Sequence, residues 1–197
     1  MGISTYYEVV PDSILSQLSQ DEELRAVFSR LWGYGSGMYW WFKQIDDGEI
    51  EEITEGQSPV AIQRLRERLL NVQRFPTGYL EKTHEIHEAL LLTAFNSRHE
   101  AQANELARIA ISGAERWVHE TEPCYESDLY IVSHQISQQL AELMKHIEIE
   151  RLVASFDLGS RRPIEAWRES LTSELQGLID CYRAAAEFGH SVLVGIS

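Results

Sequence analysis

The chain has 197 residues, of which 44% are hydrophobic and 24% charged, the composition of an ordinary globular protein with room for a core that needs neither disulfide nor metal. Its 31 acidic residues against 17 Lys and Arg give a formal charge of −14. That argues against nucleic acid and anionic membrane as partners, because both are bound through cationic side chains.

The first predicted element is a strand over ISTYYEVV, residues 3–10, rich in β-branched and aromatic residues. Pro11 ends it, and Asp12 is placed to cap a helix whose apolar side is Ile14, Leu15 and Leu18. A second helix follows in DEELRAVFSRLW, with Leu24, Val27, Phe28 and Leu31 in helical register and an acidic start. Residues 32–59 break that register. WGYGSGMYWWFKQI reads as a loop with a short strand at MYWWFKQI, and the acidic DDGEIEEITEGQSP as a second loop. A helix resumes at Pro59, with Ile62, Leu65, Leu69 and Val72 on one face and Arg64 and Arg68 on another, and ends at Pro76 and Gly78.

Helices are then predicted over about 81–95 and 101–112, the latter stopped by Gly113. ERWVHETEPCYESD reads as a loop anchored by Trp117. SHQISQQLAELMKHI puts Ile136, Leu140, Leu143, Met144 and Ile147 in helical register behind a Ser133 cap. A long helix runs from Pro163 to Phe188 with Gly189 as its stop, and SVLVGIS closes as a strand. The fold class is therefore α+β: a mostly helical single domain over 1–197, with a small sheet that includes both terminal strands.

The densest polar stretch is THEIHEALLLTA at 83–94. On a helix, His87 falls inside the apolar arc, His84 at its edge, and Glu81, Glu85 and Glu88 largely outside. The histidines stand three apart, whereas the zincin HExxH needs them four apart around a glutamate. Two visible ligands fall short of a zinc site, so no metal and no cofactor are expected. His87 is expected half-buried with a hydrogen-bond partner. GYGSG at 33–37 lacks the lysine and the strand-loop-helix setting of a phosphate loop and reads as a hinge. Cys181 reads as a small core residue, and Cys124 has no histidine at motif spacing. With no disulfide framework and no signal peptide in MGISTYYEVV, the expected setting is the cytoplasm.

Trp40 and Trp41, adjacent on a strand, would point to opposite faces, and beside mobile glycines one of them suits a binding surface. The expected role is a non-enzymatic interaction domain of immunity-like type with a basic protein partner, and its candidate binding residues are Tyr34, Trp40, Trp41, His84 and Glu88. The rival is an enzyme whose cleft joins His84, Glu85 and Glu88 to the aromatic stretch.

Segments along the whole chain resemble the YfbM-like family, bacterial proteins built around a domain of unknown function. MGISTYYEVVPDSILSQL is similar to that family's opening strand and helix, and YLEKTHEIHEALLLTA to its most recognisable helix. DLYIVSHQISQQLAELMKHIEIERLVASFD is similar to its strand end and following helix, and YRAAAEFGHSVLVGIS to its closing helix, glycine and strand. His84 stands where the family has tryptophan, Ser112 and Gly113 where it has Gly-Gly, and residues 32–78 form a longer connection, read as an insertion. The resemblance implies an α+β domain and carries no catalytic residues.

Overall fold

A computed structural model describes residues 4–32, 42–43, 46–47, 56–98, 101–117, 128–156 and 164–196. Five strands form one antiparallel sheet: β1 (Ser4–Val10), β2 (Thr77–Glu81), β3 (Glu115–Arg116), β4 (Asp128–Val132) and β5 (Ser191–Ile196), in the order β2-β1-β5-β4-β3. The first and last strands pair directly, Tyr7 opposite Val194 and Val9 opposite Val192. The expectation that both chain-end strands share a sheet is met.

Alternation of side chains sends the two faces of this sheet into two cores. Tyr7, Val9, Leu80, Val132, Val192 and Val194 face one core, closed by α4 (His84–Asn96), α5 (Ala103–Ser112), α6 (His134–Met144), α7 (Ile149–Ser155) and α8 (Ile164–Phe188). Val10, Leu129, Ile131 and Leu193 face the other, closed by α1 (Asp12–Gln20), α2 (Glu22–Trp32) and α3 (Pro59–Leu70). The sheet is thus the middle of three layers, and β5, covered on both faces, carries an unbroken buried run SVLVG.

The helix starts show how local chemistry sets the boundaries. Ser58 Oγ accepts from the Ala61 N–H at 3.3 Å with Pro59 in the first turn of α3. Asp21 Oδ1 accepts from the Leu24 N–H at 3.1 Å at the head of α2, and Arg64 of α3 pairs with the same carboxylate. Asp12 does not cap α1 as expected. The Pro11 carbonyl takes the first helical bonds, from Ile14 and Leu15, and frees the Asp12 side chain. Asp12 Oδ1 instead accepts from Ser191 Oγ at 2.6 Å and Oδ2 lies 3.2 Å from His134 Nδ1, tying together the starts of α1, β5 and α6. Ser133 stands at the N-cap of α6, as expected, but makes no side-chain cap bond.

Three further expectations change. Phe42 and Lys43, inside the expected strand MYWWFKQI, are helical, and Phe42 is buried in the second core. Glu81, the expected start of the helix over about 81–95, lies in β2, and α4 begins at His84. The segment Thr77–Glu81 alternates exposed and buried, and Gly78 sits within it where the Tyr7 side chain of β1 crowds the position. A Cβ there would meet Tyr7 Cδ2 at 3.1 Å and Leu178 Cα at 3.4 Å. Trp117 is an anchor, packing edge-on to Phe28 at 5.3 Å between ring centroids, but β3 precedes it where a loop was expected.

Two buried tyrosines close the end of α5. Tyr7 donates to the Ile111 carbonyl at 2.7 Å and Tyr182 to the Ala110 carbonyl at 2.9 Å. Carbonyls in the last turn of a helix have no partner within it, so these phenols supply one.

Candidate functional site

Thr83, at the N-cap of α4, aligns a polar pocket between α4 and α8. His87 is 0% exposed rather than half-buried. Its Nδ1 lies 3.0 Å from the Thr83 carbonyl, and its Nε2 lies 3.3 Å from the Leu171 carbonyl and 3.7 Å from Glu174 Oε2. Thr83 Oγ1 donates to Glu174 Oε2, and Ser170 Oγ donates to Glu174 Oε1 at 2.8 Å. Burial lowers the His87 pKa, against the carbonyls and the Glu174 carboxylate, which favour the charged ring. Both oxygens of Glu174, a carboxylate about 12% exposed, are held by hydroxyls of this chain. The set joins two helices, and its polar atoms are spent on one another.

The other α4 residues do not converge. Glu85 is exposed. Glu88 is half-buried and close enough to Arg108 of α5 to help raise the guanidinium pKa, behind the larger effect of the Glu105 hydrogen bond. His84 is half-buried, and its Nδ1 is shielded with no hydrogen-bond partner among the described residues. Tyr34, Trp40, Trp41 and Cys124 lie outside the described residues. Cys181 is buried, with its thiol pKa raised by desolvation, as a core cysteine should be. Among the described residues, no three His, Cys, Asp or Glu side chains group as metal ligands, and no helix is long and apolar enough to cross a membrane.

Two surface grooves lie among the described residues. One, of about 430 Å³, runs between α1 and α3, lined by Ile14, Gln17, Arg64, Glu67, Arg68 and Asn71. Its cations are engaged: Arg64 with Asp21, and Arg68 with Gln17. The other, of about 360 Å³, lies between the end of α4 and α7 and includes Arg98, His146 and Arg151. There Arg151 pairs with Glu148 at 3.3 Å. Neither groove contains His84, Glu85 or Glu88.

A third feature was not read from the sequence. On the α1–α3 side of the sheet, registers Ser4–Glu81, Tyr6–Tyr79 and Glu8–Thr77 place six side chains on one face. The Tyr6 and Tyr79 rings lie 4.7 Å apart at 35°. Tyr6 is half-buried and packs against the second core, whereas Tyr79 is 39% exposed. Burial raises the Tyr6 pKa, and the neighbouring Tyr79 phenol and Glu81 carboxylate raise it further. The signal was present in the alternation of TGYLE, masked by a glycine that reads as a helix stop.

No protein-family model matches the chain, and none of the curated proteins does. Among solved structures the chain is similar to the crystal structure of YfbM from Escherichia coli, a protein of unknown function. The two are 13% identical, with 98% of this chain and 99% of that one covered and a TM-score of 0.48. It is the name that the sequence segments suggested. The likeness brings no activity, substrate or partner with it.

Proposed function

We propose that this protein is a non-enzymatic interaction domain that binds a basic protein partner in the cytoplasm, its specific form being an immunity-like partner that occludes a cationic surface. The observation that carries this reading is how the charge is distributed. Arg64, Arg66, Arg108, Arg116, Lys145 and Arg183 each sit against a carboxylate of the same chain. With 31 acidic and 17 basic residues, cations committed in this way leave a surplus of carboxylates to the solvent. Such a surplus attracts basic partners and speeds their association. The aromatic stretch with Tyr34, Trp40 and Trp41 is the sequence's own candidate for the contact, with His84 and Glu88 as candidates on α4.

The enzyme reading has one observation in its favour, the shielded and unpartnered Nδ1 of His84, a nitrogen able to serve a ligand. Native mass spectrometry of untagged protein purified from its own cells separates the two. A stoichiometric basic protein is the expected result. A bound metal or small organic molecule supports the rival. A bare chain that also fails to prefer basic over acidic test proteins in calorimetric titration rejects the binding reading.

A further inference from the structure

The acidic surplus is spread over the molecule, and on β2 it meets exposed aromatic surface. β2 is an edge strand of the sheet. Along it Thr77, Tyr79 and Glu81 are exposed on one face, one residue apart in the alternation. Across from them β1 contributes Ser4, Tyr6 and Glu8. Glu81 follows Tyr79 on the same face of β2 and stands at one margin of the tilted Tyr6–Tyr79 pair. Residues two apart on a strand stand roughly 6–7 Å from each other, so a cation over the rings lies within reach of that carboxylate.

The chemistry of this patch selects its occupant. A tyrosine face carries negative quadrupole potential and attracts ammonium and guanidinium groups within about 6 Å. The Glu81 carboxylate at the ring margin reinforces that preference and repels anions, and it is near enough to Tyr6 to disfavour its ionisation. Half-burial of Tyr6 against the second core fixes the pair's orientation before anything binds, which lowers the ordering cost of association. Planar guanidinium stacks on a ring while bonding a carboxylate at its edge, so arginine fits better than lysine.

We infer that the Tyr6–Tyr79 pair with Glu81, on the face of edge strand β2, is the docking point for an arginine-bearing segment of a protein partner. This inference rests on the basic-partner reading above and names where on the surface it is realised.

The test is calorimetric titration of the full chain at low salt with a synthetic peptide alternating arginine and serine, and with the same peptide carrying citrulline in place of arginine. Amide shifts are followed by NMR. The expected result is binding of the arginine peptide only, with the largest shifts at residues 77–81. Tyr79→Leu should weaken it about 2–5-fold and Tyr79→Phe should retain it, since the ring and not the hydroxyl makes the contact. Glu81→Gln should weaken it more than Glu150→Gln, an exposed acidic position on α7 in the opposite layer. Tyr79 and Glu81 are exposed, so unchanged melting temperatures will show that the variants fold.

If Tyr79→Leu and Glu81→Gln bind no more weakly than Glu150→Gln, or the shifts fall elsewhere, this site is wrong and the basic-partner reading stands. If wild-type protein binds neither peptide, both are wrong. Equal binding of the citrulline peptide overturns the choice of a cationic occupant. A dimer that Tyr79→Leu dissociates makes the occupant a second copy of the chain and likewise overturns it.

Discussion

His87 concentrates the energetics of a single side chain. A neutral imidazole has one N–H to give, yet two backbone carbonyls face its two nitrogens, at 3.0 Å and 3.3 Å. Burial is the largest influence and holds the folded pKa below the usual 6.5. The unfolded chain therefore takes up this proton at a higher pH than the folded one. The stability His87 contributes is complete above about pH 6.5 and is lost as pH falls from there through the folded value. His87→Gln, which cannot titrate, should show a smaller loss of urea midpoint between pH 7.5 and 5.5 than the wild type. His87→Ala should cost about 2–4 kcal/mol at neutral pH, from the cavity and the lost hydrogen bonds together. The burial of His87 was legible in the helical arc of THEIHEALLLTA. Its partners were not, because Leu171 and Glu174 stand more than eighty residues away on α8 and no local spacing announces them.

The contact of β2 with α8 depends on two glycines with opposite expectations. At Gly78 an added Cβ presses on Tyr7 Cδ2 at 3.1 Å and on the Leu178 backbone at 3.4 Å. Gly78→Ala should destabilise by about 1–3 kcal/mol. At Gly177, inside α8, the nearest atoms to an added Cβ are Thr77 O at 3.7 Å and Gly78 Cα at 3.9 Å, ordinary contacts. Gly177→Ala should then gain helix propensity of about 0.5–1 kcal/mol and raise the melting temperature by roughly 1–4 °C. Thermal melts of the two variants beside wild type check both signs. The same element shows where sequence reading stops. The strands β1 and β5 and the helices α2, α6 and α8 carry periodic apolar faces long enough to recognise. β2 has five residues with a glycine inside, and β3 has two. Such short pieces become strands only because a neighbour is already there to pair with.

At the scale of the whole molecule, 31 carboxylates against 17 cations mean that the folded chain works against its own repulsion. Folding draws like charges together, and salt relieves that cost over a Debye length of about 10 Å at 0.1 M. The melting temperature should rise as NaCl increases from about 20 mM to about 500 mM, where the Debye length has shrunk several-fold. A flat or falling curve would show that the surplus carboxylates stand too far apart to matter. The α+β class and the presence of both terminal strands in one sheet followed from the sequence, since a strand at each end of a helical chain needs a sheet to join; their direct pairing did not. The open aromatic patch did not, because it exists only once Tyr6 and Tyr79 are opposite one another in a register that joins residues more than seventy positions apart.

The strand order β2-β1-β5-β4-β3 has a consequence for how the chain comes into being. A ribosome delivers β1 to β4 before β5, yet β5 is the strand that lies between the two pairs. Until it emerges, the pairings open to the nascent chain are β1 with β2 and β4 with β3, each leaving bare the edge where β5 belongs. Such edges are templates for wrong pairing, so the interval before β5 emerges is when this protein is most exposed to misassembly. Completion of the sheet is necessarily a late event in its biogenesis.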